Sequence, residues 1–462
     1  MPRIARLLAA VAMLPLAGCA SGGAWRRDGG QASRDDALRA SLAGASFGSA
    51  YASLDTREGA PRDQLLAQLY RGILGYYAGR LDESASAFER AQAMVDNRLT
   101  KSLSCGAASV VVSDDVLPYV LGATERLFVP YYAALGWLAR GEVGEAAVEA
   151  RRLGALLGRA DGEQSQASAD VRAAMHYFAG AVFEAAGERA DAVVSYRNAV
   201  ALHSASVLLA DSLGPRADSG DVVVVLERGF VDYPVEKSVM AWLANGELVA
   251  LTTGSDDVRW RTAERVSHRL SRSHGTELHP AGATAFFSMS WPEFSGSPPD
   301  GSRMTVRTDG GDEVAPTIDA EVSSAVRADF ERGQAERIAR AMVRAAARFA
   351  ALKAAEKQIE DSKDQKGRKK TTSIALGVGL AAFSIADAVL DRADTRSWPL
   401  LPSSLGVARV RLAPGEQEVK VVSGNELLTV GRMTVRPGTV TVIAYRAWPL
   451  SGRPVVQVAG VQ

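Results

Sequence analysis

The sequence predicts a predominantly helical α+β protein. The expected order is a helical repeat unit, a small α/β unit, a long helix and a closing β-sandwich-like unit. Three observations predict it. Small residues, including 43 glycines, suit close helix packing in a chain that is 47% apolar and 23% charged. Glycine-punctuated segments of helical period recur between residues 36 and 210. The last seventy residues alternate with a period of two instead. At 462 residues the chain is long enough for several cores. Its 53 basic and 53 acidic side chains leave no excess of cations for nucleic-acid phosphates.

The amino terminus comes first. Arg3 and Arg6 precede an apolar run from Leu7 to Leu16, too short to span a bilayer permanently. Leu16-Ala17-Gly18-Cys19 follows. This resembles the lipobox of bacterial lipoproteins, which implies removal of residues 1–18 and lipid on Cys19. Two or three acyl chains would bind a membrane firmly, at roughly 0.8 kcal/mol per buried CH₂. Ala20 is not the aspartate that retains such proteins at the inner membrane, so the resemblance points to the outer membrane, facing the periplasm. Residues 19–35 are rich in glycine, serine and charge, and read as a flexible tether. Lipid on Cys19 would leave Cys105 without an intrachain partner, so a disulfide framework is not expected.

The helical unit is expected over 36–210. Gly180, Phe183, Gly187, Ala192, Tyr196 and Ala199 stand at offsets that resemble a tetratricopeptide repeat. The small residues let two helices approach, the aromatics fill the gap beside them, and Gly187 ends the first helix. Gly72, Gly79, Phe88 and Ala91 repeat the offsets, with Gly75 and Ser84 as substitutes. Tyr131, Tyr132, Ala134, Gly141, Ala146 and Ala150 form a third, weaker copy. The turn glycines 79, 141 and 187 are unevenly spaced, so this is a degenerate array with insertions. Such arrays either bind peptides and proteins in a concave groove or pack against the rest of their own chain. On the first reading the groove residues are Tyr131, Phe183, Tyr196, Arg197 and Asn198.

A small α/β or β unit is expected over 220–312. Its strands are Asp221–Leu226, Leu248–Thr253, Ala285–Met289 and Met304–Thr308, and 292–302 is loop. An alanine-rich helical segment covers 313–392. Its long helix, Ser323 to about Glu360, carries an apolar stripe including Val326, Phe330, Ile338, Ala341 and Met342. A basic break at 363–370 precedes an uncharged stretch, 371–386, that reads as a buried helix or as one lying in a membrane interface. The closing unit, 393–462, has strands at Val407–Leu412, Glu418–Val422, Leu427–Val435 and Thr439–Tyr445. Turns fall at Pro414-Gly415 and Pro437-Gly438, and a small antiparallel sandwich is expected.

The order of lipobox, YYAALGWLARGEVGEAAVEARR, valine-rich strand, alanine-rich helix and ADTRSWPLLP resembles a family of uncharacterised bacterial lipoproteins. The resemblance carries no activity with it. Asp394, Arg396 and Trp398 within its most particular segment read either as a site or as an interdomain lock, with Arg396 paired to Asp394 and Trp398 filling the junction.

The chemistry-bearing motifs are few. The chain has no GxxxxGK[ST] loop. Gly377-Val-Gly379 lacks the third glycine of a dinucleotide motif. His268, His274 and His279, with Glu277, are the one histidine cluster, and their spacing does not match the compact pairs of common zinc sites. No catalytic set, metal or cofactor is therefore expected. The function anticipated is a membrane-anchored protein-interaction scaffold in the cell envelope, with a periplasmic or outer-membrane protein as partner. The alternative is an envelope hydrolase or metal-binding protein using the His268/His274/His279 region.

Overall fold

The structure, a computed structural model, describes residues 29–54, 61–101, 118–158, 167–203, 218–244, 247–253, 284–294, 303–344, 393–424 and 426–448. Cys19, Cys105, His268, Glu277, His274, His279 and the segments 1–18, 363–370 and 371–386 lie outside the described residues. The fold is mixed, with about 52% helix and 24% strand among the described residues.

Two helices lead, α1 (Gly29–Ala43) and α2 (Phe47–Ala52). Three helical hairpins follow: α3 (Gln64–Tyr77) with α4 (Leu81–Lys101), α5 (Ala123–Ala139) with α6 (Val143–Leu157), and α7 (Ala169–Ala185) with α8 (Arg189–Leu202). Each turns at a left-handed glycine, Gly79, Gly141 or Gly187, with φ of 70°, 76° and 78°. The hydrogen bonds repeat as well. Arg80 N–H donates to Gly75 C=O (2.8 Å), Glu142 N–H to Trp137 C=O (2.9 Å) and Glu188 N–H to Phe183 C=O (2.8 Å). That is the Schellman closure, which satisfies helix-end carbonyls and needs a residue without a Cβ penalty at positive φ.

The α1 helix corrects the expected tether, because residues 29–35 are already helical and Asp35 is buried, where it accepts a hydrogen bond from the Tyr70 hydroxyl (2.7 Å). A polar composition does not prevent a helix whose carboxylate finds a buried donor.

The strands are β1 (Gly220–Arg228), β2 (Pro234–Ala244), β3 (Glu247–Thr253), β4 (Thr284–Phe294), β5 (Met304–Thr308), β6 (Glu313–Val314), β7 (Ile318–Glu321), β8 (Ser404–Leu412), β9 (Gly415–Ser423), β10 (Glu426–Val435) and β11 (Val440–Ala447). They form sheets of order β11-β1-β8-β7, β10-β9-β5-β6 and β3-β2-β4. Helix α9 (Val322–Arg332) lies between β7 and β8 in sequence.

This topology corrects the expected separation of the 220–312 and 393–462 units. β1 sits between β11 and β8, parallel to the first and antiparallel to the second, and β5 pairs with β9. Of the four carboxyl-terminal strands only β9 and β10 pair with each other among the described ladders, so the expected all-antiparallel arrangement gives way to a mixed sheet. Strand pairing is decided by non-local burial, which period-two patterning does not encode.

Alternation along β1 explains the layers. Val222, Val224 and Leu226 join Ala408, Val410, Val419, Val421, Ile443 and Tyr445 in a core shared with the second sheet. Val223 and Val225 join Val407, Val442, Ala444 and the helical residues in the larger core. The first sheet is thus covered on both faces, which is why its central strand reads as an unbroken valine run.

The long helix expected from Ser323 is interrupted. α9 ends at Arg332, Gly333 forms a turn, and a second helix occupies 334–344 as far as the description runs. Val326 and Ala341 are buried, while Met342 of the expected stripe is exposed. Glycine at a helix end lowers the cost of the break.

Candidate functional site

The polar chemistry of the described residues gathers where the hairpins meet the first sheet. Three arginines with largely covered side chains organise it, and two of them sit on strands.

Glu227 is the next-to-last residue of β1 and Arg446 lies opposite it on β11, as the parallel register dictates. Both are buried. Glu227 accepts hydrogen bonds from the Tyr131 (2.7 Å), Tyr77 (2.8 Å) and Tyr132 (3.1 Å) hydroxyls, from the first helices of two hairpins. Arg446 donates through Nη1 to the Tyr77 (3.0 Å) and Tyr132 (3.3 Å) oxygens. Through Nη2 it donates to the Gly229 (2.6 Å) and Leu400 (2.8 Å) carbonyls. Its guanidinium lies over Trp448, 4.3 Å from the ring centroid. Burial raises the pKa of Tyr76, Tyr131 and Tyr132 well above the ordinary value. Negative charge on Glu227 adds to that shift. These phenols stay protonated, and Tyr131 and Tyr132 act as donors to Glu227.

A second cluster centres on Arg409 of β8. It donates to Glu184 of α7 (2.9 and 3.2 Å), to the Tyr196 hydroxyl (3.1 Å) and to Asp221 of β1 (3.0 Å), while Arg411 donates to the other Asp221 oxygen (3.0 Å). Tyr196 in turn donates to Glu184 (2.7 Å). Burial opposes the Arg409 charge, but the surrounding oxygens outweigh it and its pKa is raised.

The third cluster uses the ADTRSW segment. Arg396 makes a two-pronged contact with Asp394, Nε to Oδ1 and Nη2 to Oδ2, both 2.8 Å. Its Nη1 donates to Asp63 Oδ1 (3.0 Å) and to the Arg62 carbonyl (3.3 Å), just before α3 begins. Trp398 is fully buried, with ring centroids 6.1 Å from Tyr132 and 6.3 Å from Phe88. Its backbone N–H donates to Glu125 Oε1 (3.0 Å), and Glu125 also accepts from Gly122 N–H (2.9 Å) at the start of α5. The segment therefore ties the amino ends of two first helices to the strand that follows it.

The residues expected to line a groove are placed differently. Tyr131, Phe183 and Tyr196 are buried, and the two tyrosine hydroxyls are spent on Glu227 and Glu184. That corrects the groove reading for these three. The inner face of the hairpins packs on the molecule's own sheet because its aromatic and apolar surface is covered there. Arg197 and Asn198 are exposed on α8, beside Val194, which is 56% exposed. The second helices thus present the open surface. Of the remaining histidines, His176 is buried in α7 and His203 lies 3.0 Å from Asp170.

Sequence reasoning missed Glu227, Arg409, Arg446, Asp63 and Glu125. The available signal was a charged residue ending an otherwise apolar strand, as in VVVVLER and VIAYRAW. Buried charges need partners, so such a residue implies another polar element across the layer.

Among the described residues no group of three or more His, Cys, Asp or Glu side chains is placed to hold a metal, and no helix is long and apolar enough to cross a membrane. The chain matches no known family model, no curated protein and no solved structure.

Proposed function

We propose that this chain is a bacterial envelope lipoprotein, anchored through lipid on Cys19 to the outer membrane and facing the periplasm, that acts as a protein-interaction scaffold. We read the three hairpins as degenerate tetratricopeptide-like repeats, the two four-stranded sheets as a sandwich, and the chain as a relative of the uncharacterised lipoproteins it resembles. The observation that carries the scaffold reading is the threefold recurrence of one hairpin, with its left-handed glycine and Schellman closure. The small-to-aromatic approach supports the repeat reading. A Cβ added to Gly72 would come within 2.7 Å of Phe88, and one added to Gly180 within 2.6 Å of Tyr196. Because the inner face of the array is covered by the sheet, the partner surface is assigned to the second helices, where Arg197, Asn198 and Val194 stand open on α8.

Two measurements test this. Intact-mass spectrometry of protein from a bacterial membrane is expected to give a chain beginning at an acylated Cys19; an unmodified cysteine or another start removes the anchor. Photo-crosslinking residues at 197 and 198 are expected to capture one reproducible envelope protein. Capture that does not differ from a buried control such as position 176 removes the scaffold surface.

A further inference from the structure

We infer that α1 and α2 are a fourth, truncated copy of the hairpin, and that its alanine turn makes α2 a latch that opens ahead of the body; the inference rests on the repeat reading proposed above. The turn carries the first observation. Ser46 N–H donates to Ser41 C=O (2.8 Å) and Ala45 N–H to Leu42 C=O (3.0 Å). The three later turns close with the same pair of bonds. They run from Arg80 to Gly75 and Gly79 to Tyr76, from Glu142 to Trp137 and Gly141 to Leu138, and from Glu188 to Phe183 and Gly187 to Glu184. Ala45 thus occupies the place of Gly79, Gly141 and Gly187, with φ of 59°. It stands 34 residues before Gly79, the period of a regular tandem array.

The flanks agree with the turn. Five residues after the turn residue comes a small buried one in all four copies: Ala50, Ser84, Ala146 and Ala192. α2 then packs on α3, as a second helix packs on the first helix of the next repeat. The Phe47 ring stacks on Tyr77 with centroids 5.9 Å apart, and a Cβ added to Gly75 would lie 3.3 Å from Tyr51 Cε2. The copy is cut short, however. α2 has 6 residues, against 21, 15 and 14 in α4, α6 and α8. Leu38 and Leu54 stand where the last hairpin sets Gly180 against Tyr196, so the close small-to-aromatic approach is missing.

Two features make this copy the weak one. Among the described residues Ala45 is the one residue other than glycine at positive φ. A Cβ in that conformation crowds the next carbonyl oxygen, which disfavours it by roughly 5–30-fold in an equilibrium constant. A helix as short as α2 also has few hydrogen bonds of its own to resist opening. Gly48, Ser49 and Ala52 are exposed, so Phe47, Ala50 and Tyr51 hold α2 in place. α1 is held more firmly. Arg39 donates to the Val231 (2.6 Å) and Pro399 (2.8 Å) carbonyls, and Asp35 accepts from Tyr70 (2.7 Å). The chain therefore parts at Ala45, where α1 stays and α2 lifts. Lifting α2 uncovers the edge formed by Tyr77 and Trp448. Phe47 lies 6.1 Å from Trp448, whose ring covers the Arg446 guanidinium.

Amide hydrogen exchange read by mass spectrometry tests this on the full chain, unaltered and as Ala45→Gly and Gly79→Ala. Local opening sets the exchange rate of a segment that opens before the rest. In the unaltered protein residues 47–54 are expected to exchange faster than the matching stretch 81–88. Ala45→Gly is expected to slow 47–54 at least threefold, since the extra freedom of glycine in the open chain offsets part of the relief. It should leave 143–150 and 189–196 unchanged. Gly79→Ala is expected to speed exchange in 81–88. Unchanged exchange at 47–54 in Ala45→Gly overturns the latch, and so does equal slowing of all four stretches. A response of 81–88 to Gly79→Ala in the same series then leaves the repeat reading standing. No response in either variant removes the shared turn and the latch together.

Discussion

At the scale of single residues, Glu227 links β1 to the first helices of two hairpins. It is 2% exposed and collects three phenolic donors beside a buried guanidinium. Removing one member of a buried charged set leaves the others unpaired, which costs about 3–5 kcal/mol. Glu227→Ala is therefore expected to lower unfolding stability by about that amount in urea titration. Tyr131→Phe, which deletes one donor to a carboxylate, is expected to lose about 1.5–3 kcal/mol. A loss below 1 kcal/mol for Glu227→Ala would show that the cluster does not hold the layers. His176 supplies the pH dependence. Burial, followed by the nearby Arg172 charge, lowers its pKa to about 4, against about 6.5 when unfolded. The unfolded chain then binds more protons between these values, so the contribution of His176 is complete above pH 6.5 and lost as pH falls toward 4. The sign is destabilisation by acid, of order 3 kcal/mol. His176→Gln should flatten the slope of stability between pH 7 and 4, and an unchanged slope would assign it to other groups.

At the scale of elements, the hairpin is the repeating unit, and its two glycine types do different work. Gly187 is needed for its positive φ of 78° and open surroundings. Gly187→Ala should cost about 1–2 kcal/mol from backbone strain alone. Gly180 is needed for space, since Tyr196 occupies the volume a methyl group would take. Gly180→Ala should cost about 1–3 kcal/mol by overpacking, and Tyr196→Phe should not relieve it because the clash is with the ring. Differential scanning calorimetry of the three variants checks both. Most of this was legible before the structure, because offsets between small, aromatic and turn residues are local. β2 was not read, although Val239–Ala244 runs into Asn245-Gly246, a dipeptide that signals a tight hairpin. The Gly333 break was missed for a different reason. An apolar stripe continues through a turn when both flanking helices face the same core.

At the scale of the molecule, the helical and β parts depend on each other. The first helices carry Tyr77, Tyr131, Tyr132 and Glu184 on a face covered by the sheet, and the sheet carries Arg409, Arg446, Glu227 and Asp221 toward the helices. Separated, each would expose an apolar surface with orphaned polar groups. A fragment of residues 29–203 is accordingly expected to show reduced helicity, to bind a hydrophobic dye and to melt without cooperativity. A chain ending at residue 436 should fail likewise, because it lacks β11, the parallel neighbour of β1. Cooperative unfolding of either fragment would show that the layers fold independently.

What the sequence determined by itself is what short range controls. The turn glycines, the buried valine strand, the strands near 304–308 and 407–445, and the small-to-aromatic offsets all follow from the conformational limits of glycine and from periodicities of 3.6 and 2. The ADTRSW segment was legible as a place where Arg396 and Asp394 could meet, since they are two residues apart. Only the tertiary structure decided that Arg396 also holds Asp63, that β1 lies between β8 and β11, and that Tyr131 and Tyr196 face the sheet. Those contacts join residues tens to hundreds of positions apart. Their energy comes from burial and from matching buried charges, and neither leaves a periodic trace in the local sequence.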